Sequence, residues 1–134
     1  AALANISFIC SAGDDAKNMS EPGQESYPCQ FAAKLESVIC VAAAPAIVVT
    51  TSWTGAYYRV FGTPMSAAIV AGIVALMKGV ASRPLTTREV QFIIRDTSTP
   101  GVKSPDGRTK MKFGRVNALR AVEQAIRLRK SDST

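Results

Sequence analysis

Three cysteines, Cys10, Cys29 and Cys40, are the side chains of this 134-residue chain whose type and spacing most directly raise the question of chemistry. There is no histidine. Without imidazole the chain cannot itself supply a His general base or a His metal ligand. The cysteines are odd in number, and their spacing matches neither a zinc motif nor a dense disulfide framework. Such a set reads as reduced thiols in an intracellular protein, with no metal and no cofactor. Sixteen Lys and Arg against ten Asp and Glu leave a charge of +6, which suits an acidic partner, RNA or an anionic membrane surface without requiring one. The basic residues are scattered from Lys78 onward and end in Arg127-Leu128-Arg129-Lys130. They read as solvated helix faces in preference to a nucleic-acid patch, so nucleic acid is the weak partner reading.

A chain of this length has room for one core, and it is read as a single domain over residues 1–130 with a polar tail at 131–134. Residues 6–10 form a short apolar run ending in Ser11-Ala12-Gly13-Asp14-Asp15, a buried strand delivering a turn-forming loop. Residues 14–30 carry no apolar period and read as loop. Residues 38–42 and 46–50 are two further strand-length apolar runs. Neither alternates as a strand with one wet face would, which predicts an α/β fold with a parallel sheet and helices on both faces.

Gly62-Thr63-Pro64 opens an apolar run over residues 65–77, too short for the roughly 20 residues that span a bilayer. It is expected to be an enclosed core helix, so that Ala71→Asp or Gly72→Asp would bury a charge and unfold the protein. Thr86-Thr87-Arg88-Glu89 has the spacing of a capping box for a second helix through about Asp96. Pro105-Asp106-Gly107 marks a turn before a short strand or hairpin at 110–113, and Asn117 is placed to cap a last helix to about Lys130. The chain begins at Ala1 without methionine, which is read as processing of an upstream segment and leaves intracellular and organellar settings open.

Four blocks give the chain a family resemblance. Gly62-Thr63-Pro64-Met65-Ser66 followed by Val70-Ala71-Gly72 resembles the Gly-Thr-Ser-Met-Ala nucleophile motif of the subtilisin-like serine proteases and the Val-Ala-Gly after it. Phe8 to Asp15 is similar to the family's strand into Ala-Gly-Asn-Asp. Tyr27-Pro28 with Val38-Ile39-Cys40-Val41-Ala42-Ala43, and Gly114-Arg115-Val116-Asn117-Ala118, resemble two further blocks in the same order. The resemblance covers only the C-terminal portion of the family domain. It implies a partial subtilisin-like fold without the regions of the catalytic Asp and His, shortened again between Ala43 and Pro45.

The resemblance puts Pro64 at the serine nucleophile position. Proline has neither a hydroxyl for attack nor a backbone N–H for an oxyanion. It puts Asp14 at the oxyanion Asn position, where a carboxylate accepts but cannot donate. No working catalytic residue is therefore expected, and Ser66, two residues further along the helix, points about 200° away. Ser11, Ala12 and Gly13 resemble one wall of a substrate pocket. Two functions follow. One is a pseudo-protease serving as a structural or interaction subunit. The other is the C-terminal part of a split serine endopeptidase whose Asp and His come from another chain. A truncated sheet also implies a protein partner, or a second copy of the chain, at its open edge.

Overall fold

Two apolar four-residue strands, β1 (Phe8–Ser11) and β2 (Val38–Val41), pair in parallel, with Phe8 opposite Val38 and Cys10 opposite Cys40. Side chains alternate across a strand, so this register sorts the residues by face. Ile9, Ile39 and Val41 share one face and meet Val70, Ile73, Val74 and Met77 of α1 (Thr63–Val80), Val90, Ile93 and Ile94 of α2 (Thr87–Asp96) and Ala121 and Ala125 of α3 (Ala118–Ser131). Cys10, Val38 and Cys40 share the other face, which is covered by Cys29 and Ala32 of a short 3-10 turn, Cys29–Ala33. The computed structural model describes residues 2–15, 21–43, 47–103, 107, 110 and 113–131.

The fold is α/β; among the described residues its parallel sheet has two strands, with the α-helices packed on one face and the 3-10 turn on the other. Residues 46–50 were expected to be its third strand. Instead β3 (Val48–Thr51) turns back and pairs antiparallel with β4 (Tyr57–Val60), Val48 opposite Val60 and Thr51 opposite Tyr57. Gly55, at φ +80°, supplies the positive φ that the turn needs, and Ser52 N–H donates to the Ala56 carbonyl across it at 2.9 Å. Along β3 half-buried and exposed residues alternate, the pattern of a strand with one wet face. The described residues thus form two two-stranded sheets, one parallel and one antiparallel.

The enclosed helix is corrected too. α1 begins at Thr63 with Pro64 in its first turn, where a missing N–H costs no intrahelical bond. Val70, Ile73, Val74 and Met77 are buried, whereas Ala68, Ile69, Gly72, Leu76 and Gly79 form an exposed stripe on the other side, with Ile69 49% and Leu76 59% exposed. An apolar composition all round does not say how many sides are covered. By length and composition α1 could cross a membrane, but its buried side is part of the main core. Lys78 Nζ near its end donates to the Asn5 carbonyl at 2.7 Å and ties down the segment before β1.

The other helices start where the sequence predicts. Thr86 Oγ1 accepts from Glu89 N–H at 3.2 Å, and the Glu89 carboxylate accepts from Thr86 N–H at 2.8 Å, closing the capping box of α2. Asn117 Oδ1 accepts from Arg120 N–H at 3.1 Å at the start of α3. The expected tail at 131–134 has its first residue in α3 and the rest outside the described residues. Pro105 and Asp106 of the expected turn also lie outside them. Of the strand or hairpin expected at 110–113, Met111 and Lys112 lie outside the described residues, among which Lys103 bridges Lys110 and Thr99 bridges Arg115, both antiparallel.

Candidate functional site

The two segments that carry the sequence-predicted site residues meet at the start of α1. β1 hands over to Ala12, whose N–H extends the parallel ladder to the Val41 carbonyl at 2.9 Å. The next two residues turn toward the helix. Gly13 N–H donates to Thr63 Oγ1 at 3.0 Å, and Thr63 N–H donates to Asp14 Oδ1 at 2.8 Å. The first N–H groups of a helix have no intrahelical acceptor and form its positive end, so a carboxylate there is held by both hydrogen bond and dipole. Gly62 is required on two counts. Its φ is +113°, and a Cβ built on it would lie 2.8 Å from Asp14 Oδ2.

Asp14 is therefore an acceptor that fastens the β1 loop to α1. Pro64 is exposed beside it, and Ser66 Oγ turns back to the Gly62 carbonyl at 3.4 Å. Ser11 and Ala12 are half-buried and Gly13 is exposed. The Ser11 carbonyl faces inward, 3.2 Å from Cys29 Sγ.

The expectation of three reduced thiols is overturned. Cys29 and Cys40 form a disulfide, and Cys10 is the free, buried thiol, its pKa pushed up by desolvation. The three sulfurs lie within 4.8 Å of one another. Register brings them together: Cys10 and Cys40 are partners across the parallel ladder, and Cys29 heads the turn that packs on their face. Spacing along the chain carries no trace of that arrangement.

A second feature escaped the sequence reading because it is defined by what fails to cover it. The stripe Ile69, Gly72, Leu76 and Gly79 recurs every three or four residues, the spacing of one helix face. The β3–β4 hairpin adds exposed aromatic surface at Tyr57, Tyr58 and Phe61, with Trp53 at its turn 97% exposed. The signal was present in the helical periodicity of small and large apolar residues, but the same periodicity fits a buried face.

Comparison with known proteins corrects the family reading. No protein-family model matches the chain, and no curated protein matches it. A solved structure that matches the chain is described as a toxin subunit, which points away from a subtilisin-like protease. The subtilisin-like assignment is withdrawn, and with it the pseudo-protease and split-endopeptidase functions. Three of the four blocks that suggested it have local reasons in this fold: Gly62 admits the approach of Asp14, Gly114 stands against the Thr99 carbonyl where a side chain would collide, and residues 38–41 are a core strand. The crystal structure of the A-subunit of the AB5 toxin from E. coli superposes with a TM-score of 0.70 at 17% identity, over 90% of this chain and 50% of that one. At that identity the likeness is one of fold, and the chain spans about half the length of the subunit it resembles.

Proposed function

We propose that this chain is a protein-association module, which seats another polypeptide on the bare face of α1 and the open edges of its small sheets. The single observation that carries the reading is the stripe of Ile69, Gly72, Leu76 and Gly79 on a helix whose opposite side is core. Contiguous apolar surface of this kind marks interaction sites on soluble proteins. The sheets add to it. A two-stranded sheet is marginal in isolation, and among the described residues no third strand pairs with β1–β2 or with β3–β4. An added strand would satisfy the unpaired edge groups, and the segment bearing it would cover the exposed aromatic residues of the hairpin. The finished sheet would then be larger, with its faces more fully covered. The toxin A-subunit of similar fold is one subunit of an assembly, which agrees with a role exercised in a complex.

The occupant is a different polypeptide or a second copy of the chain, and an apolar interface above about 2,000 Å² in total is expected for an obligate pairing. Sedimentation of the isolated chain tests the reading. Wild type should form a dimer or larger species at micromolar concentration, whereas Leu76→Asp and Gly72→Asp, which place a charge on an exposed face, should stay folded and sediment as monomers. A discrete dimer identifies self-association, and polydisperse species identify a surface awaiting a different partner. A wild-type monomer with a sharp cooperative melt overturns the proposal.

A further inference from the structure

The face of the β1–β2 sheet away from the helices holds a chemical feature that association does not use. Cys10 Sγ lies 3.6 Å from Cys29 Sγ and 3.6 Å from the Ile39 carbonyl. All three sulfurs fall within 4.8 Å of one another, with Cys10 and Cys29 buried and Cys40 half-buried. Val38, Ala12 and Ala32 supply an apolar shell. Two chemistries are open to a thiol beside a disulfide: exchange with it or, after its reduction, joint ligation of a cation.

Geometry separates the two. In exchange, the attacking sulfur approaches along the extension of the disulfide bond. An in-line approach of Cys10 to Cys29 would place the Cys10 and Cys40 sulfurs about 5.6 Å apart, given an S–S bond of about 2.05 Å. They lie closer than that. The sulfurs form a triangle and not a line, which disfavours attack by Cys10 and suits capping of the triangle by one ion. A cation with metal–sulfur bonds of about 2.3 Å holds its thiolates about 3.8 Å from one another, and the Cys10–Cys29 pair already stands at 3.6 Å.

We propose that Cys10, Cys29 and Cys40, once the Cys29–Cys40 disulfide is reduced, form a three-sulfur site for a single thiophilic d10 cation. Two electrons and two protons from a dithiol reductant convert the disulfide to two thiols. The cation then displaces thiol protons as the sulfurs bind it, so affinity rises with pH. Thiolates select monovalent copper or zinc over hard cations. Three-coordinate ligation suits the first, and a fourth position filled by water suits the second. The chain has no histidine, and among the described residues no carboxylate joins the group, so the donor set is sulfur alone.

The experiment uses the full chain, reduced by a phosphine under anaerobic conditions and titrated separately with Zn(II) and with Cu(I). One equivalent is expected to bind in at least one arm, with thiolate-to-metal charge-transfer absorption and protection of all three cysteines from alkylation. The arm that binds identifies the ion. Cys10→Ser leaves the disulfide pair intact, so the oxidised variant should fold as wild type does, yet its reduced form should bind about 100-fold more weakly. Three results would each overturn the proposal: no stoichiometric binding in either arm, equal affinity of the Cys10→Ser variant, or equal affinity of the urea-unfolded reduced chain.

Discussion

Leu76 and Met77 are adjacent on α1, and the structure assigns them opposite surroundings. Met77 is 0% exposed, packed within the main core, whereas Leu76 is 59% exposed. Truncating a buried Met to Ala costs about 2–5 kcal/mol, the transfer free energy of the lost atoms plus the cavity they leave. Less than half of the Leu76 surface is withdrawn from water, and full burial of a Leu side chain contributes about 1.5–3 kcal/mol. Leu76→Ala should therefore cost no more than about 1 kcal/mol. For a chain of this length, at about 2.1 cal/mol/K of unfolding entropy per residue, each kcal/mol moves Tm by about 3.5 °C. Met77→Ala should lower Tm by about 7–18 °C, and Leu76→Ala by about 3.5 °C or less. The assay is thermal and urea unfolding followed by far-ultraviolet circular dichroism, with a dilution series so that association does not contribute to the midpoint. The aspartate pair sharpens the contrast, because Met77→Asp buries an unpaired charge and should abolish folding, whereas Leu76→Asp should fold. Equal losses for the two alanine variants in the dilute limit would refute the assignment of a bare face, and with it the basis of the association surface.

Other perturbations address the joints around the core. Asp14→Ala removes the acceptor of Thr63 N–H and should cost about 1 kcal/mol, while Asp14→Asn keeps a side-chain oxygen and should recover most of it; equal losses in urea unfolding would show that the hydrogen bond is not what matters. The Arg83 guanidinium, bonded to the Glu89 carboxylate at 2.7 and 3.1 Å, together with the capping bonds from Thr86, holds the Glu89 pKa down from 4.5 to about 2. Its contribution is complete above the unfolded value of about 4.5 and is lost as pH falls toward 2. The pair is partly exposed, so solvent screening brings the contribution down to about 1 kcal/mol, and Glu89→Gln should flatten the stability profile across that interval. Gly114 and Gly101 both have positive φ, but only at Gly114 would a Cβ collide with backbone, at the Thr99 carbonyl. Gly101→Ala should cost about 1 kcal/mol, and Gly114→Ala clearly more, as compared by Tm.

What could be read in the sequence was local. The capping box at Thr86 and Glu89, the Asn117 cap and the apolar runs of β1 and β2 each depend on residues within a few positions of one another; the structure places both caps where spacing predicts and both strands within two residues of it, although β1 buries only Cys10. What could not be read depends on pairing across distance. Residues 48–51 would serve equally in a buried parallel strand or in a hairpin, and the outcome turns on Gly55 and on the partner strand 57–60, whose Tyr57-Tyr58-Arg59 lacks an apolar run to announce it. The disulfide follows from a ladder register that aligns Cys10 with Cys40 and from the turn that lays Cys29 on the same face. Motif resemblance gave Asp14 a position borrowed from catalysis, whereas its hydrogen bond gives it a mechanical role at the start of α1. The case of α1 is the most instructive. Residues 65–77 are so uniformly apolar that composition carries no information about orientation, because exchanging the inner and outer faces would leave nearly the same pattern. In the structure Val70, Ile73, Val74 and Met77 join Ile39 and Val41 in the core, while Ala68, Gly72, Ala75 and Gly79 are left outside with Ile69 and Leu76. Small residues flanking two large ones leave a shallow apolar surface open to close approach by another backbone. For that reason the outer face of α1 is read as an association surface and not as a core assembled incompletely.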